Sequence, residues 1–179
     1  MTSRVGAALF LLAALTISAR AADPVKLAFV DTGNTGRSVT AEALANVEIA
    51  KTHLPIAVIS RAVDQDPYAS TPEPNVIALL SARSIDVSAH RSTQLTANDV
   101  RHSDVILTMT AAHKEKVIAM FPDAAAKTFT LADYAGGGGD VADAFGKPMP
   151  VYQAMVKQVE TYLAPALARA AHEHSKGAP

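Results

Sequence analysis

The sequence predicts an α/β fold in which a four-stranded parallel sheet is covered by helices on both faces, giving a three-layer sandwich. Short apolar runs typical of buried strands alternate along the chain with amphipathic segments of helical period. This alternation is typical of parallel sheets, because each parallel connection needs a crossover that a helix supplies. The predicted strands are 26–30, 56–59, 105–109 and 127–131.

The first two predicted helices follow the first two strands. Residues 38–49 are rich in helix formers and place their apolar residues on one face, which predicts the first helix. The second helix is expected to begin at Pro72 or Pro74, because proline is favoured in a first helical turn. Thr71 is its candidate cap.

The last two predicted helices lie in the second half of the chain. Thr110 is a candidate N-cap for a helix that Pro122 stops, since proline cannot continue a helix. The final helix is expected over 151–163, with Pro165 kinking or ending it. Residues 172–179 are expected to form a disordered tail.

The composition describes an ordinary globular domain. The chain has 179 residues, of which 49% are hydrophobic and 18% charged, and the mature domain is expected over 24–171. A formal net charge of −1 gives no reason to expect a nucleic acid as partner. Because the chain has no cysteine, disulfides, thiolate metal sites and thiol catalysis are excluded.

Residues 1–21 have the layout of a secretory signal peptide. Arg4 supplies the positive start, residues 5–17 form an apolar core, and Ala19-Arg20-Ala21 gives an A-x-A pattern with cleavage expected near Ala21-Ala22. An uncleaved membrane anchor is the alternative, but the apolar core is short of the roughly 20 residues of an ordinary span. We expect a periplasmic or secreted protein with no stable membrane span after cleavage.

The turn between the first strand and the first helix is the candidate anion site. Residues 31–38 are Asp-Thr-Gly-Asn-Thr-Gly-Arg-Ser. A strand–loop–helix unit aims backbone N–H groups at an anion, and the helix dipole favours negative charge there. Gly33 and Gly36 permit positive φ and close approach, Asn34 tolerates the left-handed conformation, and Arg37 matches two phosphate oxygens. The alternative is an ordinary turn beside a surface arginine.

Four segments match a known set of motifs in their usual order. Residues 31–38 follow C-x5-R-S in all but the first position, and residues 84–92 are similar to G-I-D-x-S-x-H-R. Residues 104–109 are similar to D-x-I-L-T-M, and 140–146 to D-V-x-D-P-F-G. Together they span nearly all of the mature chain, which thus resembles the low-molecular-weight protein tyrosine phosphatase family. The resemblance implies that family's fold.

The resemblance also implies roles for the loop residues. Arg37 would clamp the phosphoryl group, while the loop amides would cradle it. Ser38 would hydrogen-bond the nucleophile, and Asn34 would hold the shape of the loop. The implied phosphate-binding residues are Thr32, Gly33, Asn34, Thr35, Gly36, Arg37 and Ser38.

Residues outside the loop would complete the site. By the resemblance, Asp143 would protonate the leaving group, with Asp140 as the alternative acid. Phe145 would form part of the substrate rim, and Tyr68 either joins that rim or packs as an ordinary loop residue. Thr35 matches the bacterial subgroup that resembles protein-arginine phosphatases, unless a small residue merely fits there.

Three positions depart from the family's pattern. Asp31 stands where the nucleophilic cysteine is expected, Gly36 replaces a second cysteine often found in the loop, and Ala144 replaces the proline after the general acid. Losing the proline loosens its loop. Asp31 decides the function, because the attacking atom of the family's chemistry is a thiolate.

Asp31 leaves two outcomes open. In one, Asp31 attacks phosphorus to form an acyl phosphate, with Arg37 and Asp143 as its catalytic partners, and only then is Mg²⁺ expected as a cofactor. In the other, turnover is lost because Asp31 pairs with Arg37 and plugs the site, leaving a pseudoenzyme of phosphatase shape. A variant of this outcome leaves the site open, and the loop then binds phosphate, a phosphomonoester or a phosphoprotein weakly. Two like charges at ~4 Å cost on the order of 1 to 4 kcal/mol at surface-like dielectrics, which favours the second outcome.

Three histidines carry weaker signals. His90 follows an apolar strip and is expected to be structural rather than catalytic. His102 and His113 lie among polar residues and are expected to be solvated.

Overall fold

A four-stranded parallel sheet forms the middle layer of the computed structural model, which describes residues 23–177. The strands are β1 (Val25–Asp31), β2 (Ile56–Ala62), β3 (Val105–Thr108) and β4 (Thr128–Thr130), in the order β2-β1-β3-β4. All three strand pairs are parallel. The predicted four-stranded parallel sheet is confirmed. The predicted signal peptide, 1–21, lies outside the described residues.

Helices cover both faces of this sheet. They are α1 (Arg37–Thr52), α2 (Pro74–Ser81), α3 (Ala97–His102), α4 (Ala111–Met120), a 3-10 helix (Pro122–Lys127), α5 (Leu131–Tyr134) and α6 (Met149–Gly177). No helix within residues 23–177 combines the length and apolar character needed to cross a membrane.

Strand β1 separates two hydrophobic cores. Leu27 and Phe29 face a large core built with α1, α2 and α6, whereas Ala28 and Val30 face a smaller core built with α3 and α4. All four side chains are at most 1% exposed. Alternate residues of a strand point to opposite faces, so a strand covered on both sides is apolar at nearly every position. The three-layer prediction is therefore confirmed.

Helix α6 is longer than the sequence predicts. It continues through Pro165 to Gly177, so the expectation that Pro165 ends the helix is wrong. Proline inside a helix costs about 3 kcal/mol. Burial of Leu167 and Ala170 beyond it offsets that cost.

The tail expected to be disordered from residue 172 is instead helical as far as Gly177. Glu173 explains the order, because its carboxylate accepts hydrogen bonds from Tyr134 Oη and from Arg169 Nε, both at 2.8 Å. The Arg169 guanidinium also lies 4.2 Å from the centre of the Tyr134 ring. These contacts hold the end of α6 against α5.

Helix α2 begins at Pro74, one of the two predicted prolines, but its cap is not the predicted one, whereas both the start and the cap of α4 are as expected. The residue before α2 is Glu73, which makes no side-chain capping bond, so Thr71 is not the cap. In α4, the Thr110 hydroxyl accepts a hydrogen bond from the backbone N–H of His113, as predicted. The side chain of Glu73 is turned instead toward the loop after β1.

Candidate active site

A cleft of about 230 Å³ opens beside the loop that follows β1. Parallel sheets place such clefts at the carboxyl ends of their strands, where β1 and β2 deliver residues 31–38 and the turn after Ala62. Three stretches distant in sequence complete the walls. The lining residues are Asp31, Thr32, Gly33, Thr35, Gly36, Arg37, Asp64, Asp66, Ala69, Glu73, Asp143, Ala144, Phe145, Tyr152 and Met155.

Asp31 lies at the base of this cleft and is 3% exposed. Its Oδ1 accepts a hydrogen bond from Asn34 N at 2.6 Å, and its Oδ2 accepts one from Ser38 N at 2.9 Å. Both carboxylate oxygens are therefore held by loop amides. Such bonds stabilise a buried carboxylate, because each amide points a partial positive charge at it.

The other amides of the loop have no such partner. Among the described residues, no hydrogen bond engages the backbone N–H groups of Thr32, Gly33, Thr35, Gly36 and Arg37, and all five residues line the cleft. Several adjacent amides in a tight turn form an anion-binding concavity. These five amides are therefore available as donors beside the Asp31 carboxylate.

Arg37 reaches across the cleft to the loop before α6. Its guanidinium lies 3.3 Å from Asp143 Oδ2 and donates to the carbonyl of Val141 at 3.4 Å. Within the described part of the chain, its ion pair is with Asp143 and not with Asp31. The hypothesis that Asp31 plugs the site by pairing with Arg37 is therefore wrong, because both oxygens of Asp31 accept hydrogen bonds from loop amides and Arg37 pairs with Asp143.

Asn34 fixes the loop from behind. Its backbone adopts the left-handed conformation with φ 55°, as the sequence predicts, and its side chain is fully buried. The amide group donates to Ser38 Oγ at 3.0 Å and to Ser60 Oγ at 2.8 Å. Its oxygen accepts from Thr93 N at 3.0 Å. Loop shape thus depends on side chains that do not line the cleft.

His90 and Ser92 support the loop from the same side. His90 Nε2 lies 3.1 Å from the carbonyl oxygen of Asn34, and the Ser92 hydroxyl donates to the carbonyl of Gly33 at 2.6 Å. The expectation that His90 is structural agrees with this contact. The motif at 84–92 therefore supplies loop supports and not cleft residues.

Gly33 and Gly36 do not adopt the positive φ that glycine permits. The described residues with positive φ do not include either glycine, and Gly36 has φ −127°. Glycine is required at residue 36 because the Glu73 side chain approaches its backbone closely. A Cβ there would lie 2.5 Å from Glu73 Oε1. The glycine leaves space that a carboxylate fills.

Glu73 is a cleft residue that the sequence did not indicate. Its backbone N–H donates to the carbonyl of Thr35 at 3.0 Å, and its Oε2 accepts a hydrogen bond from the hydroxyl of Tyr152. Burial raises the pKa of Glu73, and the carboxylates of Asp143 and Asp31 act in the same direction. Burial and this hydrogen bond raise the pKa of Tyr152 to about 12, so Tyr152 remains a donor near neutral pH.

His113 is buried, so the expectation that it is solvated is wrong. It is 8% exposed, and its Nε2 lies 2.8 Å from the hydroxyl of Thr32 in the loop. Burial lowers the pKa of His113, and the positive charge of Arg37 adds to that effect. A neutral imidazole therefore supports Thr32 near neutral pH.

The two aspartates of the 140–146 segment have different surroundings. Asp140 Oδ1 accepts a hydrogen bond from Ala111 N at 2.8 Å, at the start of α4. Asp143 lines the cleft beside Arg37, and its side chain is 60% exposed. Asp143 is therefore the one placed to meet a ligand, whereas Asp140 is engaged by the first turn of a helix.

The two predicted rim residues are both exposed, but only one lines the cleft. Phe145 is 68% exposed and belongs to its wall. Tyr68 is 97% exposed and is not a lining residue, although it lies between the lining residues Asp66 and Ala69 in the sequence. Ala144 is buried at 2% exposure.

Negative charge dominates the walls of the cleft. Within residues 23–177, five carboxylates and one guanidinium line it. Lys116 Nζ offsets one of them, lying 3.0 Å from Asp64 Oδ2. No group of three or more histidine, aspartate or glutamate side chains within residues 23–177 is arranged to hold a metal ion.

Comparison with known proteins places this geometry in a family context. Residues 26–176 match the model of the family described as low molecular weight phosphotyrosine protein phosphatase. A protein-arginine-phosphatase from Geobacillus stearothermophilus is 36% identical over 141 residues, which cover 78% of this chain and 92% of that protein.

Two solved structures are similar in fold and sequence. YwlE arginine phosphatase from Geobacillus stearothermophilus superposes with a TM-score of 0.77 at 33% identity, covering 87% of this chain and 99% of that one. A cysteine-to-serine mutant of YwlE arginine phosphatase, with a phosphorylated active-site serine, gives a TM-score of 0.76 at 32% identity, covering 80% of this chain and 94% of the other.

Proposed function

This chain belongs to the low molecular weight phosphotyrosine protein phosphatase family, and we propose that it is an exported member whose loop binds phosphorylated ligands without efficient turnover. The ligands are inorganic phosphate, phosphomonoesters or phosphoprotein side chains. The five loop amides without a partner among the described residues carry this proposal. Together with Arg37 they form a set of donors suited to a tetrahedral anion.

The chemistry of Asp31 supports binding over turnover. Its two oxygens are each committed to a loop amide, at 2.6 and 2.9 Å. A carboxylate is a weaker nucleophile than a thiolate, although both carry one negative charge. Among the described residues, four other carboxylates line the cleft and repel an approaching phosphoryl group. We therefore expect slow chemistry in a loop that still holds phosphate.

Phosphoarginine is the first phosphoprotein group to test, with phosphotyrosine second. The relative from Geobacillus stearothermophilus is a protein-arginine-phosphatase, and Thr35 matches the subgroup that resembles such enzymes. The acidic cleft also suits a ligand whose phosphoryl group is attached to a basic side chain.

Turnover and binding are to be measured on the purified mature chain. We expect little hydrolysis of an aryl phosphate, with Mg²⁺ or with EDTA, while calorimetry detects binding of inorganic phosphate. Asp31→Asn removes the like charge and is expected to bind phosphate more tightly. Rapid hydrolysis by the unmodified chain, lost in Asp31→Asn, would refute the proposal.

The alternative is an active phosphatase that uses Asp31 as nucleophile. The phosphorylated active-site serine of the YwlE mutant favours it, because an oxygen atom in that protein's active site carries a phosphoryl group. Here Asp31 would attack phosphorus, Asp143 would protonate the departing oxygen, and water would hydrolyse the acyl phosphate. Trapping a phosphorylated Asp31 by borohydride reduction supports this alternative.

Export is part of the proposal and needs its own test. The support is the signal-peptide layout of residues 1–21 and the absence of cysteine from the chain. We expect N-terminal sequencing of the protein from a periplasmic or culture fraction to begin at Ala22 or Asp23. Recovery from the cytoplasm with residues 1–21 attached would contradict it.

A further inference from the structure

Two contacts hold the carboxylate of Glu73 against the phosphate loop, one through its backbone and one through its side chain. Its backbone is tied to the loop by the 3.0 Å bond to the carbonyl of Thr35, and Tyr152 donates to Oε2. Tyr152 is 3% exposed, so this donor is fixed by its packing in α6. Oε1 is thereby directed over Gly36, 2.5 Å from the place where a Cβ would stand.

The loop amides of residues 32–37 and the Arg37 guanidinium form the phosphate cradle, and Oε1 of Glu73 lies beside it without a hydrogen-bond partner among the described residues. No hydrogen bond of the described residues engages Oε1, whereas both oxygens of Asp31 accept loop amides. The five loop amides and Arg37 are donors. A tetrahedral anion in this cradle would therefore meet several donors, together with an acceptor at Oε1 that has no bond of its own.

A carboxylate cannot donate a hydrogen bond, so the ligand oxygen that meets Oε1 must bring a proton or be repelled. Phosphomonoesters take up a proton with a pKa of about 6, so a monoanionic form is available near neutral pH. Sulfate has no such proton in this range. Binding sulfate would require Glu73 itself to take up the proton.

We propose that Glu73 is a specificity-determining residue, through which the loop selects tetrahedral oxyanions that carry a proton, such as hydrogenphosphate and phosphomonoester monoanions, over sulfate. The inference rests on the proposed function of the loop as a phosphate site. The carboxylates of Asp31 and Asp143, the guanidinium of Arg37 and the hydroxyl of Tyr152 are the other charged or titratable groups around Glu73. Gly36 permits this arrangement, because a side chain at residue 36 would occupy the place of Oε1.

The test is calorimetric titration of the mature chain with phosphate and with sulfate at pH 7 and constant ionic strength. The chain is expected to bind phosphate at least about tenfold more tightly than sulfate, because sulfate gains no hydrogen bond at Oε1 of Glu73 and is repelled there. Glu73→Gln offers an N–H donor at that place. Its ratio of phosphate to sulfate affinity is expected to fall to about threefold or less.

Two further variants make the result specific. Glu115→Gln removes one negative charge from an exposed residue outside the cleft and is expected to keep the unmodified ratio. Tyr152→Phe frees Glu73 from its donor and is expected to give an intermediate ratio, so the test stands even if Glu73→Gln fails to fold. Thermal melting checks each variant.

Equal affinities for phosphate and sulfate in the unmodified chain would overturn the inference while leaving the phosphate site intact. An unchanged ratio in folded Glu73→Gln would overturn it as well. If neither anion binds, the proposed function fails and this inference falls with it.

Discussion

The back and the front of the loop at 31–38 differ in how much of the family's pattern they keep. Behind the loop, Asn34 is buried and hydrogen-bonded to Ser38, Ser60 and Thr93. At the front, a carboxylate replaces the expected thiol at residue 31, and Glu73 fills the space above Gly36. The shape of an anion cradle is thus maintained by residues that are separate from the attacking group. A protein can therefore keep the shape of the cradle while its attacking group changes.

Arg37→Ala tests the front and is expected to have the largest effect on binding. It removes the charged side chain among the donors of the cradle, so the affinity for inorganic phosphate should fall roughly 10- to 100-fold. Calorimetry measures the change, and Arg101→Ala, at an exposed residue, is the matched control. Unchanged phosphate affinity would show that the loop is not the binding site.

Asn34→Ala tests the back and is expected to have the largest effect on stability. It leaves buried partners unsatisfied and puts alanine at a φ of 55°, so the free energy of unfolding should fall by roughly 2–4 kcal/mol. Urea unfolding measures this loss, with exposed Asn98→Ala as control. A loss no greater than that of the control would mean that the loop shape does not depend on this network.

Gly36→Ala tests the front of the loop and is expected to have a small effect on stability. The new Cβ meets the end of the Glu73 side chain, which can move away, so we expect a loss of roughly 1 kcal/mol or less. The same urea experiment measures it. The ratio of phosphate to sulfate affinity should fall in this variant, because Glu73 is displaced. A loss as large as that of Asn34→Ala would erase the contrast between front and back.

The smallest expected effect is the contribution of His113 to stability, and this contribution depends on pH. Its pKa is lowered in the folded protein, so the unfolded chain binds more protons and stability falls as the pH drops through about 6.5, the ordinary histidine value. His113→Gln keeps a hydrogen-bonding group near Thr32 and should flatten this part of the stability curve. Urea unfolding from pH 8 to pH 5 tests it. Parallel curves for the two proteins would contradict the account of His113.

The sheet and the long helices were predictable because their apolar patterns are strong. The alternation of Leu27, Ala28, Phe29 and Val30 between two cores is visible as a continuous apolar run. Helix α3 has six residues and was missed, although Thr96 and Asp99 form the capping box that marks its start. Extension of α6 past Pro165 depends on burial that the local sequence does not reveal.

The loop was predictable as an anion site, whereas its neighbours were not. Strand, turn, helix and Arg37 are contiguous in the sequence. Glu73 and His113 reach the loop only through tertiary packing, from the turn before α2 and from the first turn of α4. The ion pair of Arg37 with Asp143 joins segments 106 positions apart, and no local pattern specifies it. The spacing of residues on one element could not predict these contacts.

Turnover by Asp31→Cys tests the central claim most directly. If the cradle is intact and only the attacking atom is changed, a thiolate at residue 31 should hydrolyse an aryl phosphate at least about 100-fold faster than the unmodified chain, without Mg²⁺. Asp31→Ser and Asp31→Asn are the controls. A folded Asp31→Cys protein that binds phosphate yet hydrolyses no faster than the unmodified chain would contradict the account.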